Sequence, residues 1–141
     1  MENITIRNGF ERMDFERVTR MLSQSYWCPG IKIEEVKQGA INSTLVVGAF
    51  LDQCKQIGYA RVVSDKTRFA YILDVYVDDE YRRQGIGQQM IKHILAHDDL
   101  KSVYQWLLIT KDAHGVYAKA DFTPVSRPGD WMEIRHARPD R

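Results

Sequence analysis

Ile4 and Ile6 alternate with polar neighbours, the period of a short half-buried strand. Phe15, Val18, Met21 and Leu22 then recur at helical spacing with charges between them, which predicts an amphipathic helix. Trp27-Cys28-Pro29-Gly30 breaks it, because proline and glycine continue a helix poorly, and residues 31–40 predict a second helix. Three strand-like stretches follow, Thr44 to Leu51, Ile57 to Val63 and Phe69 to Val77, joined by polar connections at 52–55 and 64–67. They predict an antiparallel meander. The third is apolar or aromatic almost throughout except at Asp74, as a central strand would be. From Gly85 the period changes: Ile86, Met90, Ile91, Ile94 and Leu95 make a helical stripe. Trp106 to Ile109 predicts a compact strand, a helical segment runs through Tyr117, and Trp131 to Ile134 predicts a last strand after the loop holding Pro124, Pro128 and Gly129. The order β-α-α-β-β-β-α-β-α-β is that of a mixed α/β domain.

At 141 residues the chain fits one domain, taken as 1–141, and its 44% hydrophobic content is enough for one core. Lys and Arg number 20 against 19 Asp and Glu, so no general attraction to nucleic acid or an anionic membrane is expected, and any anion site must be local. Cys28 and Cys54 follow no metal spacing and form no disulfide framework, so no metal is expected and a reducing compartment suits them. The start, Met-Glu-Asn-Ile-Thr-Ile-Arg, lacks the apolar core of a signal peptide, and no run approaches membrane-spanning length. A cytoplasmic location is the expectation.

Chemistry concentrates where the central strand runs into the helix: Leu73-Asp74-Val75-Tyr76-Val77-Asp78-Asp79-Glu80-Tyr81-Arg82-Arg83-Gln84-Gly85-Ile86-Gly87. Unsatisfied amides at a helix N-terminus, aided by the helix dipole, suit a pyrophosphate. Glycines let an anion approach the backbone, and Arg82 and Arg83 can add charge-assisted hydrogen bonds. By itself a Gly-x-Gly is equally a surface turn with two solvated arginines. A dinucleotide-binding fingerprint is excluded because Met90 stands where that pattern needs a third Gly or Ala. No Gly-x-x-x-x-Gly-Lys-Ser/Thr occurs, which excludes a Walker loop.

Val75-Tyr76-Val77 followed by Tyr81-Arg82-Arg83-Gln84-Gly85-Ile86-Gly87 resembles motif A of the GNAT superfamily of N-acetyltransferases, Gln/Arg-x-x-Gly-x-Gly/Ala, with Arg82, Gly85 and Gly87 at its fixed positions. A second stretch, Thr110 to Phe122, is similar to that family's Asn-x-x-Ala-x-x-x-Tyr-x-x-x-Gly-Phe. Thr110 replaces the Asn, and Asp121 replaces the Gly; aspartate is among the residues that tolerate left-handed backbone. The resemblance spans roughly Ile57 to Phe122 and implies a mostly antiparallel sheet flanked by helices, with splayed central strands that bind acetyl-CoA.

It further implies that the amides of Gln84, Gly85, Ile86, Gly87 and Gln88 surround the pyrophosphate, with Arg82 and Arg83 beside them. Tyr76, Val77 and Thr110 are further expected cofactor contacts, Val77 pairing with the pantetheine. The Val75 amide would polarise the thioester carbonyl, and Tyr117 would supply the proton for the departing thiolate. The base is open between Tyr71, Asp74, His114 and water. Tyr71, four residues before Val75, is expected on that residue's face of the sheet. Asp74 has the opposite parity, which fits a structural bond to an arginine or loop. Tyr26 and Trp27 either cradle an amine or pack the first helix onto the sheet. The acceptor is an amine of a small molecule or a protein, and homodimerisation is common in the family. A non-catalytic CoA-binding module is the alternative to an enzyme.

Overall fold

The computed structural model describes residues 3–141; Met1 and Glu2, part of both the expected 1–141 domain and the start read for a leader, lie outside the described residues. Strands β1 (Ile4–Asn8), β2 (Leu45–Leu51), β3 (Lys55–Ser64), β4 (Phe69–Val77) and β5 (Gln105–Leu107) form one sheet in that order. The first four are antiparallel neighbours, and β5 joins β4 in parallel. The alternation along β2, β3 and β4 feeds two separate cores. On one face Val46, Phe50, Tyr59 and Tyr76 meet Val18, Met21 and Leu22 of helix α1 (Phe15–Ser23) and Val36 and Ala40 of α2 (Ile33–Ile41). On the other, Val47, Ala60, Val62 and Ile72 meet Ile86, Met90, Ile91 and Ile94 of α3 (Ile86–Leu95). Each large side chain removed from water in this way contributes about 1.5–3 kcal/mol before the entropy cost is subtracted. Helix α1 starts where the Asp14 side chain accepts a hydrogen bond from the Arg17 amide, a free donor of the first turn. A short helix α4 (His114–Ala118) follows β5, and Tyr117 and Phe122 pack toward the α3 core.

Two expectations are corrected. Trp131 to Ile134 forms no strand. Trp131, Met132 and Ile134 are exposed, and the chain from 131 onward runs irregularly until Arg141 pairs with Glu35 of α2 at 2.7 Å. A strand needs a ladder to join, and β5 is only three residues long, shorter than the expected Trp106 to Ile109. The second correction concerns parity in β4. Leu73 pairs with Arg61 and Tyr76 with Tyr59, so three steps along β4 span two along β3. This is a β-bulge, and Asp74 within it has φ 56°. Ala70 and Ile72 face the α3 core before the bulge, and Val75 and Val77 face it afterwards. Tyr71 therefore lies on the opposite face from Val75, because the inserted residue reverses the alternation that places positions i and i+4 together.

Candidate functional site

Strand β5 pairs with β4 only at Phe69, Ala70 and Tyr71. From Ile72 to Val77, β4 keeps β3 on one side and faces a cleft of about 1200 Å³ on the other, with Leu108, Ile109, Thr110 and α4 forming the far wall. Val75 has no register partner on either side, being inside the bulge and beyond the reach of β5. The splayed opening expected from the resemblance is thus a consequence of a strand that leaves the sheet early.

At one end of the cleft stands the N-terminus of α3. Its first helical hydrogen bond runs from the Gln89 amide to the Gly85 carbonyl at 3.0 Å, so the amides of Ile86, Gly87 and Gln88 have no helix partner. Gly85 has φ 78°, a left-handed conformation that a glycine adopts without strain. Gly87 is helical and needs no such freedom. A Cβ there would approach nothing nearer than Val77 Cγ2 at 4.0 Å, so protein packing does not require a glycine. What it leaves is open ground above free amides, a fit to a pyrophosphate. Arg82 is turned back into the loop: its Nη2 is 2.8 Å from Asp79, its Nε donates to the Val77 carbonyl at 2.9 Å, and its guanidinium lies 4.9 Å from the Tyr76 ring centroid. Arg83, at φ 65°, is exposed and has no ion pair among the described residues. The Gln88 side chain donates to the Val116 carbonyl and ties α3 to α4.

Tyr117 lines the far wall from α4. Burial, with a smaller contribution from Tyr26, pushes its phenol up to about 12, so the hydroxyl keeps its proton at neutral pH. The Thr110 hydroxyl oxygen accepts from the Ala113 amide at 3.0 Å and fixes the entry to α4. Asp121 has φ 73°, the left-handed conformation expected of the residue standing in place of glycine. His114 is exposed at the start of α4.

Across the cleft, Tyr26 stacks edge-on against Trp27, with centroids 5.0 Å apart, and its hydroxyl accepts from the Lys111 amide at 3.0 Å. It bridges the α1–α2 connection to the loop after β5. The Trp27 indole donates to Asp74 at 3.0 Å, and the Arg61 Nε donates to the other oxygen of the same carboxylate at 2.7 Å. Arg61 also donates to the Gly39 carbonyl and the Ser43 hydroxyl. Asp74 thus braces the bulge from behind, which is the structural role its parity suggested. Tyr71 lies on the same side, and burial above all raises its pKa from the ordinary phenol value. Arg61 went unread as a site residue, yet a lone arginine in one apolar strand and a lone aspartate in the next were a usable signal. Arg135 and Arg138 also line the cleft, where the sequence predicted a strand that ended just before them. No group of metal-ligating side chains occurs among the described residues.

A family model for the acetyltransferase (GNAT) domain matches residues 43–124, which include both motifs. The structure is similar to that of a GNAT-family acetyltransferase from Xanthomonas campestris pv. campestris, with 34% identity, 96% of this chain and 95% of that one covered, and a TM-score of 0.89. A GNAT-family acetyltransferase from Streptococcus pneumoniae is similar at 26% identity, covering 98% of this chain and 100% of that one with a TM-score of 0.72. The fold is shared with an acetyltransferase from Clostridium acetobutylicum whose structure is with acetyl-CoA, at 16% identity, 94% and 96% coverage and a TM-score of 0.70. No curated protein matches the chain. With a family model spanning more than half its length and a relative of 34% identity aligned over nearly all of it, the chain belongs to the GNAT acetyltransferase family.

Proposed function

We propose that this protein moves an acetyl group from acetyl-CoA to an amine of a small molecule or protein by direct attack, with Tyr117 as general acid. The observation that carries the proposal is that the Tyr117 phenol shares one cleft with Val75 and the free amides of α3. Acetyl-CoA, when bound, supplies the thioester carbon that the neutral amine attacks. The amides of Gly85 to Gln88, with Arg83 and Gln84 beside them, hold its pyrophosphate. Val77 and Tyr76 line its path along β4, and Thr110 lines the opposite wall. The Val75 amide stabilises the developing oxyanion, a role worth about 3 kcal/mol per well-aimed donor. Tyr117 gives its proton to the sulfur as the carbon–sulfur bond breaks. The proton leaving the amine passes to water. Tyr71 is a poor base because burial raises its pKa, and both Asp74 oxygens already accept hydrogen bonds. The free thiols of Cys28 and Cys54 suit the reducing cytoplasm.

The test separates binding from chemistry. Acetyl-CoA at a hundred times its dissociation constant should stabilise the fold by about 2.7 kcal/mol, and NAD should not. Tyr117→Phe should keep that stabilisation and lose kcat by roughly a hundredfold. A phenol pushed up to about 12 is in its acid form below that value. The sign is therefore fixed: Tyr117 should cause no alkaline fall in kcat below about pH 11, and activity should decline only as pH rises through its pKa. A Phe variant with unchanged turnover under chemistry-limited conditions removes Tyr117 from the mechanism. Stabilisation by acetyl-CoA without turnover of any amine supports a CoA-binding module instead.

A further inference from the structure

Two arginines in the cleft have no part in the acetyl-transfer chemistry. Arg135 and Arg138 both line it from the irregular segment that follows residue 130. Neither has a carboxylate within ion-pair distance among the described residues, whereas Arg17, Arg61, Arg82, Arg127 and Arg141 each have one. Their segment is held across the α1–α2 side. The Arg141 guanidinium pairs with Glu35 of α2 at 2.7 Å with its side chain only 11% exposed. Gly30, which has φ 71°, admits the Arg141 backbone and Cβ, and a Cβ at that glycine would stand 3.4 Å from Arg141 Cβ. Arg135 and Arg138 are thus carried over the cleft by a strap fixed at its far end.

Arg135 is set apart from the phosphate end. Arg135 lies close enough to Tyr71 to pull that phenol's pKa down against the burial that raises it. Tyr71 and Val77 are six residues apart on β4 but span five of β3 because of the bulge, roughly 17 Å at the rise of a strand, and Val77 adjoins the α3 amides. The acidic groups on the cleft do not offset this charge. Asp74 is paired with Arg61 and Asp79 with Arg82, which leaves Asp112 on the opposite side. A polycationic acceptor would meet unpaired guanidiniums here. A planar guanidinium matches the paired oxygens of an oxyacid.

We infer that the acceptor carries an anionic oxyacid group, a carboxylate or a phosphate, in addition to its amine, and that Arg135 and Arg138 bind that group. The inference rests on the acetyl-transfer reading above and narrows its substrate class.

The experiment uses acceptors paired to differ in charge. The protein amino acids are assayed against their carboxamides, and O-phosphoethanolamine against ethanolamine, with acetyl-CoA and thiol release as the readout. Turnover should favour the anionic member of at least one pair by tenfold or more in kcat/KM, and the favoured arm tells carboxylate from phosphate. Arg135→Gln and Arg138→Gln should each raise KM for that acceptor roughly tenfold, the scale of one charge-assisted hydrogen bond, and leave KM for acetyl-CoA unchanged. Equal use of both members, turnover confined to the uncharged ones, or none with any anionic member overturns the inference. So does a rise in KM for acetyl-CoA instead, which gives the arginines to the cofactor, or a fall in acceptor KM, which makes the strap an obstruction. Melting with acetyl-CoA runs alongside on every variant. If acetyl-CoA fails to stabilise the unmodified protein, the acetyl-transfer reading falls; if it succeeds and no charge preference appears, only this inference does.

Discussion

Arg61→Met removes the cation behind the β4 bulge and should cost both stability and turnover. The Asp74 carboxylate accepts from Arg61 at 2.7 Å and from Trp27 at 3.0 Å, with side chains of the ion pair 22% and 15% exposed. Breaking a fully buried pair from one side costs about 3–5 kcal/mol, while an exposed pair is worth about 0–1. At these exposures the carboxylate keeps one donor and slight access to water, so a loss of about 2–3 kcal/mol is expected. Asp74 also sits at φ 56°, a left-handed conformation that aspartate tolerates better than most residues and that its two bonds hold in place. Without Arg61 the bulge relaxes and the Val75 amide shifts, so kcat should fall at least tenfold while KM for acetyl-CoA changes less. Urea unfolding of Arg61→Met, Asp74→Asn and the double variant measures the coupling, expected at about 1–3 kcal/mol. Arg61→Lys restores the charge without the fork and should recover only part of kcat. Single variants that add within about 0.5 kcal/mol, with kcat untouched, would refute the reasoning.

Gly87→Asp places a side chain and a negative charge in space that no protein atom fills, so acetyl-CoA affinity should fall tenfold or more in titration calorimetry while the melting temperature holds. Unchanged affinity in the folded variant would move the cofactor away from α3. Tyr59→Phe removes a fully buried hydroxyl that has no partner among the described residues, and urea unfolding should show a gain of about 1 kcal/mol. A loss of similar size would mean that the hydroxyl is bonded to an ordered water.

The elements with strong periodicity were legible because one burial pattern determined each of them. The stripe from Ile86 to Leu95 became α3, and the three consecutive strands became β2, β3 and β4 with boundaries off by one or two residues. Both motifs lie on the cleft, since their glycines and Tyr117 answer to local backbone and side-chain demands that a sequence states directly. The face of Tyr71 was not legible. Nothing in Leu-Asp-Val announces an extra residue, because a bulge is a property of two strands in register, and it reverses every alternation argument that crosses it. Trp131 to Ile134 misled for a related reason: its residues are apolar enough for a strand, but a strand needs an edge to pair with, and β5 offers three residues. Arg135 and Arg138 were invisible because their place depends on how an irregular segment returns across the sheet, with Arg141 on Glu35 as its fixed point.

The motif arginine at 82 also reads differently once its contacts are known. As sequence it was one of two cations for the phosphates. In the fold its Nε holds the Val77 carbonyl, the last of β4, and its Nη2 holds Asp79, so the side chain spans the strand end and the turn that follows. Asp78 reinforces that turn, accepting from the Glu80 amide while pairing with Arg17 of α1 at 2.8 Å. The loop is thereby tied to β4 and to α1 before it reaches Gly85. Free amides bind an anion well only when they already converge, because ordering a loop at the moment of binding costs about 1–2 kcal/mol per residue. On the proposed reading, Arg82 serves the phosphate site first by preorganising the amides of Ile86, Gly87 and Gln88. That division leaves Arg83, exposed at the same turn and without an ion pair among the described residues, as the cation for the proposed phosphate contact.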